Sequence, residues 1–194
     1  MRRNKFMSVF IVVAAVSAFL VNAVYLPATA KAESGAVAEG KTLPEFKLAT
    51  PAAPEIKQYL GLDGEKDFTL DQLHSRLIIV ELFSALCPAC HQNAPKVNQL
   101  YNIISGDAEL KSRIVMIGIA LGNEEKLVNA FQKQFNVKFP LFPDPDGKID
   151  NTLTGVSTPT LIIMDNTGKV LFVHGGLIDD MDDILTVIRS MTTS

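Results

Sequence analysis

The sequence predicts an α/β domain with a central mixed sheet flanked by helices, and three observations carry that prediction. Two apolar runs rich in β-branched residues, Leu77–Phe83 and residues 113–121, are each followed by a stretch of helical period. They are separated by a connection of crossover length, which argues for parallel pairing. Near the end, residues 160–164 and 169–174 are strands joined by Asp165-Asn166-Thr167-Gly168, a turn sequence that folds them into an antiparallel hairpin.

Residues 1–32 have the three parts of an export signal. Arg2, Arg3 and Lys5 form a basic start, residues 7–21 are almost wholly apolar, and Ala30-Lys31-Ala32 supplies a small-x-small cleavage site. Cleavage is the first expectation. A retained membrane anchor is the second, since the apolar segment, counted on through Leu26, just reaches across a bilayer of about 30 Å. No cysteine follows it, which excludes a lipoprotein anchor. Removing the segment takes Arg2, Arg3, Lys5 and Lys31 and no acidic residue, so 18 basic residues become 14 against 21 acidic ones, a formal charge of about −7. Such a surface repels phosphate backbones, and nucleic-acid binding is disfavoured. Any membrane contact is expected through the N-terminal segment alone.

Residues 33–43 are small, polar and without period, and read as a linker; the domain proper is expected over residues 44–194. Residues 44–49 alternate as a short edge strand does. Residues 55–62 fit a short helix or a strand, and residues 68–73 a strand end running into a helical turn. After the Leu77–Phe83 strand a helix is expected over residues 88–104, with Pro95 kinking its interior. Asn123-Glu124-Glu125 reads as the cap of an amphipathic helix whose apolar face is Leu127, Val128, Phe131 and Phe135. Residues 139–142 form a short strand and 149–153 a short helix. A closing helix over residues 179–191 buries Ile184, Leu185 and Ile188.

The chemistry lies between the first strand and its helix. Cys87 and Cys90 are the only cysteines, separated by Pro88 and Ala89. An exported protein usually spends cysteines on a disulfide framework, yet a bridge spanning so few residues closes almost no loop and stabilises little, so its purpose is chemical. Unpaired N–H groups and the positive end of the helix dipole favour a thiolate at a helix start. Cys87 therefore reads as the exposed nucleophile and Cys90 as its resolving partner.

In these residues the chain resembles the thioredoxin superfamily, and within it the exported TlpA-like and ResA-like thiol-disulfide oxidoreductases. The resemblance rests on Cys87-Pro88-Ala89-Cys90 after a buried strand, Pro95 eight residues past Cys87, and Val156-Ser157-Thr158-Pro159-Thr160 before the hairpin. Residues 114–142 stand where TlpA-like proteins carry an inserted strand and helix. Leu86 replaces the usual aromatic residue before the first cysteine, and the chain has no Trp. The resemblance implies a cis peptide at Thr158-Pro159, a Thr158 backbone that pairs with an incoming peptide, and a substrate surface that includes Leu86, Pro88 and Ala89. Glu81, six residues before Cys87, stands where thioredoxin has a buried acid; burial raises a carboxyl pKa toward neutrality and suits it to exchange a proton with Cys90. The function implied is disulfide reduction in the periplasm or on the extracytoplasmic face of the inner membrane, in the setting of cytochrome c maturation. Its partners would be protein disulfides and a membrane thiol-disulfide electron donor, with no cofactor and no metal.

Two rival readings share these residues. Cys87-Pro88-Ala89-Cys90-His91 satisfies the C-x-x-C-H pattern of covalent haem attachment, which would make His91 an axial ligand and Met116, Met164 or Met181 a second, in an electron carrier. A motif that follows a buried strand in an α/β chain argues against it, and leaves His91 as an exposed residue that modestly acidifies Cys87. Ser84, three residues before Cys87, matches the hydroxyl of a peroxiredoxin-like thiol peroxidase, but Val80 stands where that pattern has proline. Asp144-Pro145-Asp146-Gly147 reads as a surface turn rather than a calcium loop, and His74 and His174 lack zinc-ligand spacing.

Overall fold

The structure is a computed structural model that describes residues 35–64 and 66–192. The export signal expected over residues 1–32 lies outside the described residues, and among these no helix is long and apolar enough to cross a membrane.

Leu77–Phe83 forms β1, buried along its whole length as its unbroken apolar sequence requires of a strand covered on both faces. It pairs in parallel with β2 (Ile114–Ala120) from Leu77 opposite Ile114 to Phe83 opposite Ala120. On its other side it runs antiparallel to β4 (Thr160–Asp165). A short β3 (Leu141–Pro143) extends the sheet beyond β2, and β5 (Val170–Gly175) closes the hairpin with β4, giving the order β3-β2-β1-β4-β5. The unit expected as an insertion thus comprises β2, which is the full-length neighbour of β1, and an excursion that builds outward to the β3 edge.

Helices cover both faces. On one lie α2 (Pro88–Gly106), α4 (Glu125–Phe135) and α6 (Met181–Thr192), whose Cys90, Val97, Val128, Phe131, Ile184 and Ile188 pack on Leu77, Ile79 and Phe83. On the other, α1 (Pro54–Leu60) and α5 (Lys148–Thr152) bring Leu60 and Ile149 against Ile78, Val80 and Leu82. Of the expected apolar faces, Leu127 is exposed and Phe135 and Leu185 are half-buried.

Several local expectations are corrected. Residues 44–49 form no strand: Leu48 makes a single bridge to Phe68. From residue 37 on, the expected linker belongs to the fold. Val37, Ala38 and Leu43 are buried, Gly40 N–H donates to the Val170 carbonyl, and Val170 N–H donates to the Lys41 carbonyl. This strap covers the outer edge of β5, a place where open strands invite unwanted pairing. A helix the sequence reading passes over, α3 (Ala108–Arg113), follows α2 directly because the Asp107 carboxylate accepts from the N–H groups of Glu109 and Leu110.

Candidate active site

β1 ends at Phe83, and after four intervening residues α2 begins at Pro88. Across that gap Cys87 N–H donates to the Ser84 carbonyl at 3.0 Å, closing a turn that leaves Cys87 as the N-cap of α2, with Pro88 in its first turn. Leu86 at the apex is 69% exposed, Pro88 is exposed, and Cys87 and Ala89 are half-buried. Cys90, one turn into the helix, has no exposed surface and receives the Ser84 N–H at 3.5 Å.

The two thiols are unequal. Burial pushes the Cys87 thiol up, but hydrogen bonds from the Cys90 backbone, the Cys90 thiol, the Thr158 side chain and the Ala89 backbone outweigh it and hold the thiol below its ordinary value. At Cys90 burial dominates, opposed only in part by the Ser84 N–H, and the thiol is pushed up to about 12. The accessible sulfur is thus the more acidic of the two, and its neighbour holds its proton.

Facing Cys87 is the loop before β4. The Thr158–Pro159 peptide is cis, Pro159 is buried, and the Thr158 carbonyl lies 3.5 Å from Cys87 Sγ. The same loop meets the segment after β5, where Gly176 N–H donates to the Pro159 carbonyl.

Glu81 lies in β1 between Gly118 of β2 and Leu161 of β4. Strand alternation puts it on the face of Ile79 and Phe83, the face that packs on Cys90. It is 3% exposed, its Oε1 has no hydrogen-bond partner among the described residues, and burial raises its pKa from 4.5 to about 8.

The structure therefore brings Cys87, Cys90, Thr158 and Pro159 to one place with Leu86, Pro88 and Ala89 around them, and sets Glu81 in the core on the Cys90 side of the sheet. His91 departs from expectation. It is half-buried, its Nε2 lies 2.7 Å from the Ala85 carbonyl, and its ring packs against Phe131 and Phe135 with centroids 5.8 and 5.1 Å away. That ring is committed to the protein, and Met116, Met164 and Met181 are buried in the core, so the haem reading does not fit these residues. The Ser84 hydroxyl, which the peroxidase reading singles out, meets the Asn123 side chain and accepts the Leu86 N–H, each at 3.3 Å.

Within the expected Asn123-Glu124-Glu125 cap, Glu124 is the N-cap of α4. The Asn123 side chain, 3% exposed, instead accepts the Ala85 N–H at 2.6 Å and lies 3.3 Å from Ser84 Oγ. The expected surface turn is present, with Pro145 and Asp146 exposed and the Gly147 N–H donating to the Asp144 carbonyl, but the Asp144 carboxylate is buried and accepts from the N–H groups of Gly122, Ile149 and Asp150. Among the described residues no cluster of His, Cys, Asp and Glu could hold a metal ion.

Comparison with known proteins agrees with this geometry. Residues 40–173 match the AhpC/TSA family. The chain is 25% identical over 138 residues to the thiol-disulfide oxidoreductase ResA of Geobacillus thermodenitrificans, covering 71% of this chain and 70% of that protein. It is 25% identical over 143 residues to the thioredoxin-like protein YneN of Bacillus subtilis, covering 72% and 73%. Among solved structures, the thioredoxin domain of a thiol-disulfide oxidoreductase from Bacteroides vulgatus superposes with a TM-score of 0.59 at 14% identity, covering 78% of this chain and 99% of that one. The fold is thioredoxin-like.

Proposed function

We propose that this chain, which belongs to the AhpC/TSA family, is a thiol-disulfide oxidoreductase acting outside the cytoplasm, where it reduces protein disulfides through Cys87 and Cys90. The observation that carries the reading is the inequality of the two sulfurs: one acidified and accessible at the start of α2, the other buried with its thiol pushed up to about 12. The similarity to a protein named thiol-disulfide oxidoreductase supports the same reaction.

In that reaction the Cys87 thiolate attacks one sulfur of a partner disulfide. The partner's S–S bond breaks, its other sulfur leaves as a thiolate, and a mixed disulfide joins Cys87 to the partner. An extended partner segment pairs with the Thr158 backbone beside Pro159, over a surface that includes Leu86, Pro88 and Ala89. Cys90 then yields its proton to the ionised fraction of Glu81, attacks Cys87 Sγ and releases the partner's second sulfur. Two electrons have passed to the partner, and a Cys87–Cys90 bridge remains. The Thr158 carbonyl 3.5 Å from Cys87 supports the docking step. The Glu81 role is supported by its burial on the Cys90 side of the sheet and by a pKa of about 8, from which a carboxyl exchanges protons near neutral pH.

Residues 1–32 export or anchor the domain that follows, and a membrane thiol-disulfide donor returns the electrons. Apocytochrome c in maturation is the substrate class proposed. The test is Cys90→Ser, which removes the resolving sulfur and strands partners on Cys87. Recovery of apocytochrome or of a membrane donor supports a reductase, whereas a broad set of newly secreted proteins points to an oxidant. Absence of any mixed disulfide that Cys87→Ser abolishes would overturn the thiol-disulfide reading itself.

A further inference from the structure

The peptide of Ala85 lies two residues before Cys87, and side chains from elsewhere in the fold take both its polar groups. Its N–H donates to Asn123 Oδ1 at 2.6 Å, and its carbonyl accepts from His91 Nε2 at 2.7 Å. A short connection at a reactive tip is ordinarily among the more mobile parts of a protein. Here each anchor is itself fixed. Asn123 is buried in the loop between β2 and α4, and its carbonyl accepts the Asp144 N–H at 3.2 Å. The Asp144 carboxylate in turn binds Gly122 of the same loop and the first residues of α5. The His91 ring cannot swing from Ala85 without leaving Phe131 and Phe135.

We propose that Asn123 and His91 are positioning residues that clamp Ala85 from both sides and so fix the turn of residues 84–87, which carries the nucleophile. Neither is placed by any contact at Cys87 Sγ; both act through the backbone. The held turn has two consequences for the reaction. Its closure by Cys87 N–H on the Ser84 carbonyl and by Leu86 N–H on Ser84 Oγ keeps Cys87 at the start of α2 and beside the Thr158 carbonyl. It also aims the Ser84 N–H at the resolving Cys90 sulfur. A loosened turn takes Cys87 away from the α2 N–H groups for part of the time. That slows attack and destabilises the thiolate form relative to the bridge. The inference rests on the thiol-disulfide reading and assigns it two further residues.

The test compares the wild type with Asn123→Ala, His91→Phe and His91→Gln. Phenylalanine keeps the ring packing on Phe131 and Phe135 and removes the donor; glutamine returns an amide N–H. Tyr59→Phe, a destabilising change on α1 remote from the turn, is the control for loss of stability alone. Two quantities are read on folded protein: the rate at which iodoacetamide alkylates Cys87 at pH 7, and the equilibrium between dithiol and bridge in a glutathione buffer. Loss of one such hydrogen bond slows alkylation about fivefold and shifts the equilibrium toward the bridge by a similar factor. Asn123→Ala and His91→Phe are expected to show both effects, His91→Gln to restore wild-type values, and Tyr59→Phe to leave both unmoved. If Asn123→Ala does not fold, the two His91 variants decide the matter. Wild-type rate and equilibrium in His91→Phe overturn the clamp while leaving the oxidoreductase standing. A wild type that forms no reversible bridge overturns both.

Discussion

Replacing Glu81 with glutamine removes an ionisable group from the core at almost constant volume, and its effect on stability is expected to depend on pH. Glu81 is 3% exposed among apolar neighbours, and burial raises its pKa from 4.5 to about 8. Below pH 4.5 the carboxyl is protonated both in the folded protein and in the unfolded chain, and it contributes no pH dependence. Between 4.5 and 8 the unfolded chain releases the proton while the folded protein keeps it, so the unfolded state binds fewer protons and stability falls as pH rises. Above pH 8 the buried carboxylate is ionised as well and the loss is complete. The gap between the two pKa values, at about 1.4 kcal/mol per unit, corresponds to about 5 kcal/mol. Urea unfolding of the reduced proteins between pH 4 and pH 9 measures it. Groups common to both proteins cancel when the Glu81→Gln stability is subtracted from that of the wild type. The difference should fall by several kcal/mol with rising pH, a relative midpoint shift on the order of 2 M at ordinary urea sensitivities. A difference that stays flat from pH 5 to pH 9 would mean that the carboxyl is ionised and hydrated in the folded protein, and would refute both its burial and its proton-transfer role.

Alkylation of the reduced protein at pH 7 should label Cys87 and leave Cys90 unmodified until the chain is unfolded, as mass spectrometry of the labelled peptides would reveal; labelling of both thiols at similar rates would contradict the assigned asymmetry. Tyr59→Phe should destabilise the protein by about 1–3 kcal/mol, because the Tyr59 hydroxyl both accepts the Met116 N–H at 2.9 Å and donates to the Met116 carbonyl at 3.1 Å, at a point of β2 that β3 does not reach. Gly61→Ala should cost about 1–3 kcal/mol in urea unfolding with the redox equilibrium unmoved, since Gly61 ends α1 at a φ of 69° and an added Cβ would lie 2.7 Å from His74 Cβ.

What the sequence made legible was whatever a local run of residues decides. The apolar run of β1 can only be a covered strand, Pro88 suits the first turn of a helix, where it gives up no hydrogen bond, and Asp165 to Gly168 can only be a turn. There the Asp165 carboxylate accepts the Thr167 and Lys169 N–H groups, while Gly168 takes a φ of 85°. These elements carry Cys87, Cys90 and Pro159 to their places. What stayed hidden was decided by partners distant in the chain. The strap from residue 37 to 43 has the composition of a linker because its order comes from backbone bonds to β5, which leave no mark on side-chain pattern. Asn123 precedes two glutamates as a cap would, and only the fold reveals that its side chain turns back 38 residues to Ala85. His91 follows a cysteine pair as a haem ligand would, and only the packing of α4 on α2 reveals the two phenylalanine rings that hold it.

The same distinction explains how two chemically identical thiols acquire opposite characters three residues apart. Sequence places them on successive turns of one helix, where the helix dipole alone would favour the thiolate at both, more strongly at Cys87. The helix end cannot by itself push a thiol up to about 12, as happens at Cys90. That requires the sheet: Phe83, Ala94, Phe131 and Leu161 share one buried cluster with Cys90, and the desolvation they impose exceeds what the Ser84 N–H returns. The acidity of Cys87 is thus mainly a local property of a helix start, whereas the reserve of Cys90 is a property of the assembled core. In the proposed reaction such a thiol attacks only once a base receives its proton, and Glu81, buried on that side of β1 with its pKa raised to about 8, is the group assigned to receive it. If Glu81 takes that proton, as proposed, its cost in stability and its use in exchange have one physical origin, and a substitution that relieves the first should impair the second.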